Sequence, residues 1–286
     1  LNLAQSLNGL GWIVGPLVGG LVVFSGEDGN SGSVALPYAV IGVIVLVIAF
    51  VFSRIQLPEI LEKGETEVPE DAEVSDAEEK AKALSMAETS IYNKVEENDK
   101  QEKSLWHSSV FVFGLIALFF YVAAQTGVNS FFINYVTERV PSISARTAAL
   151  ILSFGGMGMF FVGRLGGSWL MNRIKAAQVL LACAMGSIVC MLLVIFGSGM
   201  ASVVALVLTY LCEAIMFPTI FALALNGFGA SNTKRGSSFL IMSIVGGAIA
   251  PVVMGVIGEA DMAIGFIVPL ICYIVIAMFA MKVVKK

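Results

Sequence analysis

Charge is scarce in this sequence outside a single segment. Only 13% of the residues are Asp, Glu, Lys or Arg, whereas a soluble domain carries roughly 25%. Of the 21 acidic residues, 15 lie within Glu59–Lys103, and hydrophobic residues make up 57% of the whole sequence. The remainder is too apolar for a water-soluble fold and predicts a membrane protein. The composition implies no nucleic-acid-binding surface.

Residues that carry catalysis or bind metals are also few. The sequence holds one histidine, His107, and four cysteines that lie in apolar stretches without the spacing of metal ligands. It has no H-E-x-x-H motif, no phosphate-binding loop and no candidate Ser–His or Cys–His pair. We therefore expect a protein that is not an enzyme and that uses neither a metal nor a cofactor.

Long apolar segments dominate the rest of the sequence. A helix needs about 20 mostly apolar residues to cross a bilayer, and eight segments meet that length. These predicted spans are 2–24, 35–54, 108–136, 147–169, 177–197, 202–226, 237–257 and 263–281. The expected fold class is an all-α membrane protein.

Lysine and arginine are distributed unequally between the loops. When the loops are assigned alternately to two sides, 15 of the 17 basic residues fall on one side, and only Arg139 and Arg146 fall on the other. Basic residues accumulate in cytoplasmic loops, so both chain ends are predicted to be cytoplasmic, in a multi-pass protein of the cell membrane. The acidic segment then becomes a cytoplasmic linker, 55–106, whose composition predicts disorder.

Two spans precede this linker and six follow it. Transporters built from two six-helix halves carry such a connection between the sixth and seventh helices. That plan predicts eight of an expected 12 helices here, with four more before the first. Residues 1–54 would hold the last two helices of the N-terminal half, and residues 107–286 would form the C-terminal half.

Glu213 is a carboxylate inside the apolar stretch Val203–Leu225. An ionised group at that depth costs several kcal/mol unless it meets a polar partner or cavity, so such groups are rare. One interpretation is a structural pair or a protonated carboxyl in an apolar site. The other is a functional group: a proton or cation relay, or an acceptor of hydrogen bonds from a ligand.

Amide side chains recur along two spans. Gln5 and Asn8 lie near one face of the first span, and Tyr121, Gln125 and Asn129 follow at i, i+4 and i+8 in the third. This spacing places the amides on one side of a helix. Hydrogen bonding between helices and a sugar-binding site explain the pattern equally well, because uncharged amides both donate to and accept from hydroxyl groups.

Glycine and proline mark other positions in the spans. We interpret Gly163, Arg164 and Gly167 as a tight cytoplasmic turn that ends the fourth span. Glycine-rich stretches such as Gly246-Gly247 predict close helix packing. Pro218 frees backbone groups and predicts a kink just after Glu213.

Five segments resemble, in the expected order, the fucose and glucose/galactose permeases of the major facilitator superfamily. They lie in what would be the fifth, seventh, eighth, tenth and eleventh helices of that family. The segments are Leu1–Gly11, Phe120–Thr126, Gly163–Leu170, Phe217–Ala224 and Lys234–Phe239.

The resemblance implies a helical bundle of that superfamily and proton-coupled uptake of a neutral hexose or hexosamine by alternating access. It implies that Gln5 and Gln125 contact the sugar. Phe217 stands where the fucose permease has tyrosine, which makes fucose doubtful as the substrate and favours a stacking role. Glu213 is not part of the fucose permease pattern.

From this interpretation we expect a sugar, protons and the lipid bilayer as partners, and we expect the protein to be monomeric. A sodium-coupled or other small-polyol transporter is the alternative within transport. A membrane sugar sensor that does not transport is a third possibility.

Overall fold

The computed structural model describes residues 11, 14–17, 35–54 and 105–285, and the described residues form helices and short connections without a β-strand. We number the helices in chain order: α1 (Ala35–Arg54), α2 (Ser109–Arg139), α3 (Ala145–Met171), α4 (Ala176–Phe196), α5 (Gly199–Leu225), α6 (Ser231–Ile257) and α7 (Met262–Val284). Helix α1 falls in a different structural unit from α2–α7. We call α2–α7 the C-terminal bundle.

The six predicted spans after the acidic linker are confirmed as α2–α7, each long and apolar enough to cross a membrane. The second predicted span coincides with α1. In the first predicted span, only residues 11 and 14–17 are described, and these are helical. Linker residues 55–104 lie outside the described part of the chain. The count of eight spans and the domain boundaries therefore stay predictions.

Helix α5 is interrupted in the middle. Its first part ends at Glu213 and its second part begins at Met216. Pro218 explains the break, because it has no backbone N–H to donate and its ring clashes with the carbonyl of Ala214 four residues earlier. The kink predicted from Pro218 is confirmed, and it leaves backbone groups beside Glu213 available to other helices.

Helix α2 is the central element of the C-terminal bundle and packs against α5, α6 and α7. Two glycines let α6 approach it closely. A Cβ atom on Gly246 would collide with the Phe119 carbonyl oxygen, and one on Gly247 would lie 2.7 Å from Thr126 Oγ1. The close packing predicted for this glycine pair is confirmed.

Polar contacts join three helices at the end of the bundle where α7 begins. The Asp261 carboxylate accepts a hydrogen bond from the Ala263 N–H (2.9 Å) and so caps α7. It also lies 3.7 Å from the guanidinium of Arg139 at the end of α2. Arg139 in turn donates to the Ile195 carbonyl of α4 (3.4 Å). These contacts fix the relative positions of α2, α4 and α7.

The outer surface of the C-terminal bundle is apolar. Large side chains such as Phe196 (81% exposed) and Val256 (73% exposed) point away from the core. Exposed apolar area on this scale is unfavourable in water but is compatible with contact with lipid chains. The bundle therefore has the surface of a membrane-embedded domain.

Candidate functional site

Glu213 lies near the middle of α5, about 21 Å along the helix axis from Gly199 at a rise of about 1.5 Å per residue, and its side chain is fully buried. The Tyr273 hydroxyl of α7 donates a close hydrogen bond to Glu213 Oε1. The Tyr121 hydroxyl of α2 donates to the Glu213 backbone carbonyl (3.1 Å). Three helices thus meet at this residue, and Tyr121 bonds to the backbone next to the break in α5.

Gln125 and Asn129 continue the face of α2 that begins with Tyr121. Asn129 Oδ1 accepts a hydrogen bond from the buried Tyr210 hydroxyl of α5 (2.8 Å). Gln125 is one helical turn from both Tyr121 and Asn129, so it lies on the same face of α2, beside α5. Its side chain is half-buried. The amide of Asn129 therefore bridges two helices, while that of Gln125 lies at the middle of the span with part of its surface accessible.

Phe217 extends this surface with an aromatic wall. Its ring centroid lies 6.0 Å from that of Tyr121 and 6.2 Å from that of Phe221, and the last pair is nearly parallel at 21°. The side chain is only half-buried. The structure thus brings Asn129, Phe217 and Glu213 to one seam between α2 and α5, and helical spacing places Gln125 on the same face of α2. Gln5 and Asn8 lie outside the described residues.

The interpretation of Gly163, Arg164 and Gly167 as a turn is wrong, because α3 continues as a helix to Met171. The two glycines serve packing against α5. A Cβ atom on Gly163 would lie 2.5 Å from the Leu211 carbonyl oxygen, and one on Gly167 would collide with Ile215. The spacing of four residues places both on one face, so α3 sits directly against the interrupted segment that carries Glu213.

Arg164 lies on the same helix with its guanidinium 4.9 Å from the centroid of the Phe160 ring. Its Nε atom is buried and has no hydrogen-bond partner among the described residues. Gly163, the residue before it, packs on Leu211 and Ala214 of α5. A cation is therefore present near the seam, and it forms no ion pair with a described carboxylate.

The sequence model of the Major Facilitator Superfamily matches residues 1–251 of the 286. The chain belongs to this superfamily. It is therefore an integral, multi-pass membrane protein, with the all-helical fold that the superfamily shares.

Curated relatives within the superfamily carry sugar transporter names. The chain is 31% identical over 288 residues to the glucose/galactose transporter of Brucella abortus, covering 98% of this chain and 62% of that protein. It is 30% identical over 302 residues to the L-fucose-proton symporter of Escherichia coli, covering 98% of this chain and 63% of that protein. The chain thus spans less than two thirds of the length of these relatives.

A solved structure supports the same assignment. The crystal structure of the superfamily transporter FucP, in the outward conformation, aligns with a TM-score of 0.65 and 29% sequence identity. The alignment covers 99% of this chain and 67% of that chain. The resemblance to the fucose and glucose/galactose permeases seen in the sequence is confirmed.

Two members of the site could not be found from the sequence. Tyr273 is 60 residues from Glu213 and lies in an apolar span with no spacing that links the two. No local sequence pattern indicates that Tyr210 contacts Asn129. The G-x-x-x-G spacing of Gly163 and Gly167, by contrast, is a local signal compatible with packing, although it does not exclude a turn.

Proposed function

We propose that this major facilitator superfamily protein takes up a neutral hexose or hexosamine together with protons, by alternating access. The observation that carries the proposal is the half-buried group formed by Gln125, Asn129 and Phe217 at the middle of the α2–α5 seam. Sugars present hydroxyl groups and an apolar ring face, and a site with amides and an aromatic ring matches both. The sugar transporter names of the relatives support this substrate class.

The proposed roles follow from chemistry and position. The Gln125 amide forms no hydrogen bond with another described side chain and can bond sugar hydroxyls, and Phe217 offers a ring face for stacking. Asn129 already accepts from Tyr210, so its NH₂ group is the part left to donate to a sugar. Gln5 and Asn8 are the proposed contacts from the first predicted span.

The proposed organisation places the last two helices of the N-terminal half in residues 1–54, a cytoplasmic linker in 55–106, and the C-terminal half in 107–286. With this organisation, the complete protein would have 12 helices, of which eight fall in this chain. The excess of lysine and arginine on one side supports cytoplasmic chain ends in the cell membrane. We propose that the protein acts as a monomer, since each six-helix half supplies one wall of a single site.

The proposal is tested by equilibrium binding of labelled glucose, galactose, fucose and N-acetylglucosamine to the complete purified protein. We expect one of these sugars to bind, and Gln125→Ala to weaken its binding by roughly tenfold, because the lost hydrogen bonds are worth about 1–2 kcal/mol.

Gln178→Ala is the matched control for this experiment, because Gln178 is an exposed amide in the first turn of α4. Its substitution leaves sugar affinity unchanged. A Gln125→Ala protein that is folded and binds as tightly as the control would remove Gln125 from the site. If no sugar in the panel binds the wild-type protein, the proposed substrate class is wrong.

A further inference from the structure

The Glu213 side chain is fully buried and forms a single hydrogen bond with the described part of the chain. Tyr273 donates to Oε1, while Oε2 is buried and has no partner among the described residues. No described lysine or arginine lies within ion-pair distance of the carboxyl group. One neutral donor does not compensate a buried negative charge, which costs several kcal/mol in a membrane interior. A proton on Oε2 removes that uncompensated charge.

Among the described residues, the groups around Glu213 are uncharged, with one exception. Phenol and thiol groups face it from its own helix and from the helices packed against that helix. The exception is Arg164 on α3, which follows Gly163, the residue that packs on Leu211 and Ala214 of α5; it forms no ion pair with the carboxyl group among the described residues. The groups at Glu213 are Tyr121 of α2, Tyr273 of α7, and Tyr210 and Cys212 of α5, while Cys183 of α4 lies beside Cys212 and Cys272 precedes Tyr273 in α7.

Tyr121 connects this carboxyl group with the proposed sugar site. Its hydroxyl group bonds to the Glu213 backbone, its ring contacts Phe217, and Gln125 follows one helical turn later. Because α5 is interrupted directly after Glu213, the backbone there lacks part of the helical hydrogen bonding that holds a continuous helix rigid. A change in the charge or position of the Glu213 side chain therefore acts on the same residues that are proposed to bind the sugar.

We propose that Glu213 is a proton-binding carboxyl group of the C-terminal bundle, and that its protonation and deprotonation accompany each transport cycle. Tyr273 holds the carboxyl group, and Tyr121 links it to the sugar site. In the step, a proton from water on one side forms an O–H bond at Oε2, and the same bond later breaks to release the proton to water on the other side. This inference rests on the proposed function and adds a coupling group within α2–α7.

The first test uses the complete protein in liposomes with Glu213→Gln, which keeps the shape and the acceptor for Tyr273 but cannot titrate. We expect accumulation of sugar driven by a proton gradient to fall to the level of protein-free liposomes. Counterflow exchange, which moves sugar in both directions without a gradient, is retained. Glu259→Gln is the matched control, because Glu259 is exposed in the turn before α7, and it keeps both activities.

Accumulation by Glu213→Gln at the wild-type level would overturn the proposal. Loss of exchange as well as accumulation, in a protein that is folded, would also overturn it, since a structural or binding role would then suffice.

A second measurement does not depend on transport. Infrared difference spectroscopy of the purified wild-type protein over a range of pH should show the C=O band of a protonated carboxyl group, and this band should be absent in Glu213→Gln. Tyr273→Phe keeps the carboxyl group but removes its hydrogen bond, so the same band should shift in frequency. This variant assigns the band even if Glu213→Gln does not fold.

The two measurements distinguish failure of the proposed function from failure of the inference about Glu213. If the wild-type protein moves no sugar but the band is present and shifts with Tyr273→Phe, the proposed function is wrong and Glu213 still binds a proton. If sugar is accumulated but no band belongs to Glu213, the inference about Glu213 is wrong and the proposed function stands.

Discussion

Replacing Gly163 with alanine lowers the unfolding temperature of the complete protein in detergent, whereas replacing Gly166 does not. A Cβ atom on Gly163 would lie 2.5 Å from the Leu211 carbonyl oxygen and 2.8 Å from the Ala214 Cβ, while none of the surrounding atoms lies within 4 Å of a Cβ on Gly166. The close atom is backbone, so it cannot rotate away. Overpacking of this kind costs about 1–3 kcal/mol.

Gly166→Ala is a matched control because both glycines lie on α3 and gain the same helix propensity, about 1 kcal/mol in favour of alanine. That gain should leave the control as stable as the wild type or more stable. Thermal unfolding of both variants is monitored by tryptophan fluorescence or by the fluorescence of a thiol-reactive dye. Equal unfolding temperatures for the two variants would contradict the packing of α3 against the interrupted part of α5.

Replacing Phe217 with alanine weakens sugar binding by about tenfold or more, the equivalent of about 1.4 kcal/mol. The ring lies between Tyr121 and Phe221 and keeps part of its surface accessible. Removing it takes away the stacking surface for the sugar ring and the contact that orders Tyr121, and aromatic contacts alone contribute about 0.5–1.5 kcal/mol.

Equilibrium binding of the sugar identified for the wild type measures this effect, with Phe196→Ala as the control. Phe196 is 81% exposed at the end of α4, so its loss should leave sugar affinity unchanged. Unchanged affinity in a folded Phe217→Ala protein would exclude Phe217 from the sugar site.

The bundle was largely predictable because apolar length is a direct physical requirement of crossing a bilayer. The ends of the helices were less predictable than their existence. Helix α6 begins at Ser231, six residues before the predicted start, since Lys234 and Arg235 resemble a loop by composition although the helix continues through them. Composition indicates where a segment leaves the lipid, whereas backbone hydrogen bonds determine where the helix ends.

The site was predictable only where its signal is local. Glu213 is conspicuous in an apolar stretch, and the spacing of Gln125 and Asn129 places them on one face of a helix. The pairing of Glu213 with Tyr273 depends on which helices pack together, and a single sequence holds no record of that. Gly163 was misread because glycine suits both turns and close helix contacts, and only the neighbouring helix decides between them.

The central claim, proton-driven sugar uptake, is tested most directly with the complete protein in liposomes, by uptake of the labelled sugar panel under an inward proton gradient, an inward sodium gradient and no gradient. We expect one hexose or hexosamine to accumulate above its external concentration under the proton gradient alone. Accumulation under the sodium gradient alone would contradict proton coupling. Absence of accumulation of any sugar, in a protein shown to be folded, would contradict the assignment as a sugar transporter and favour another solute or a sensor.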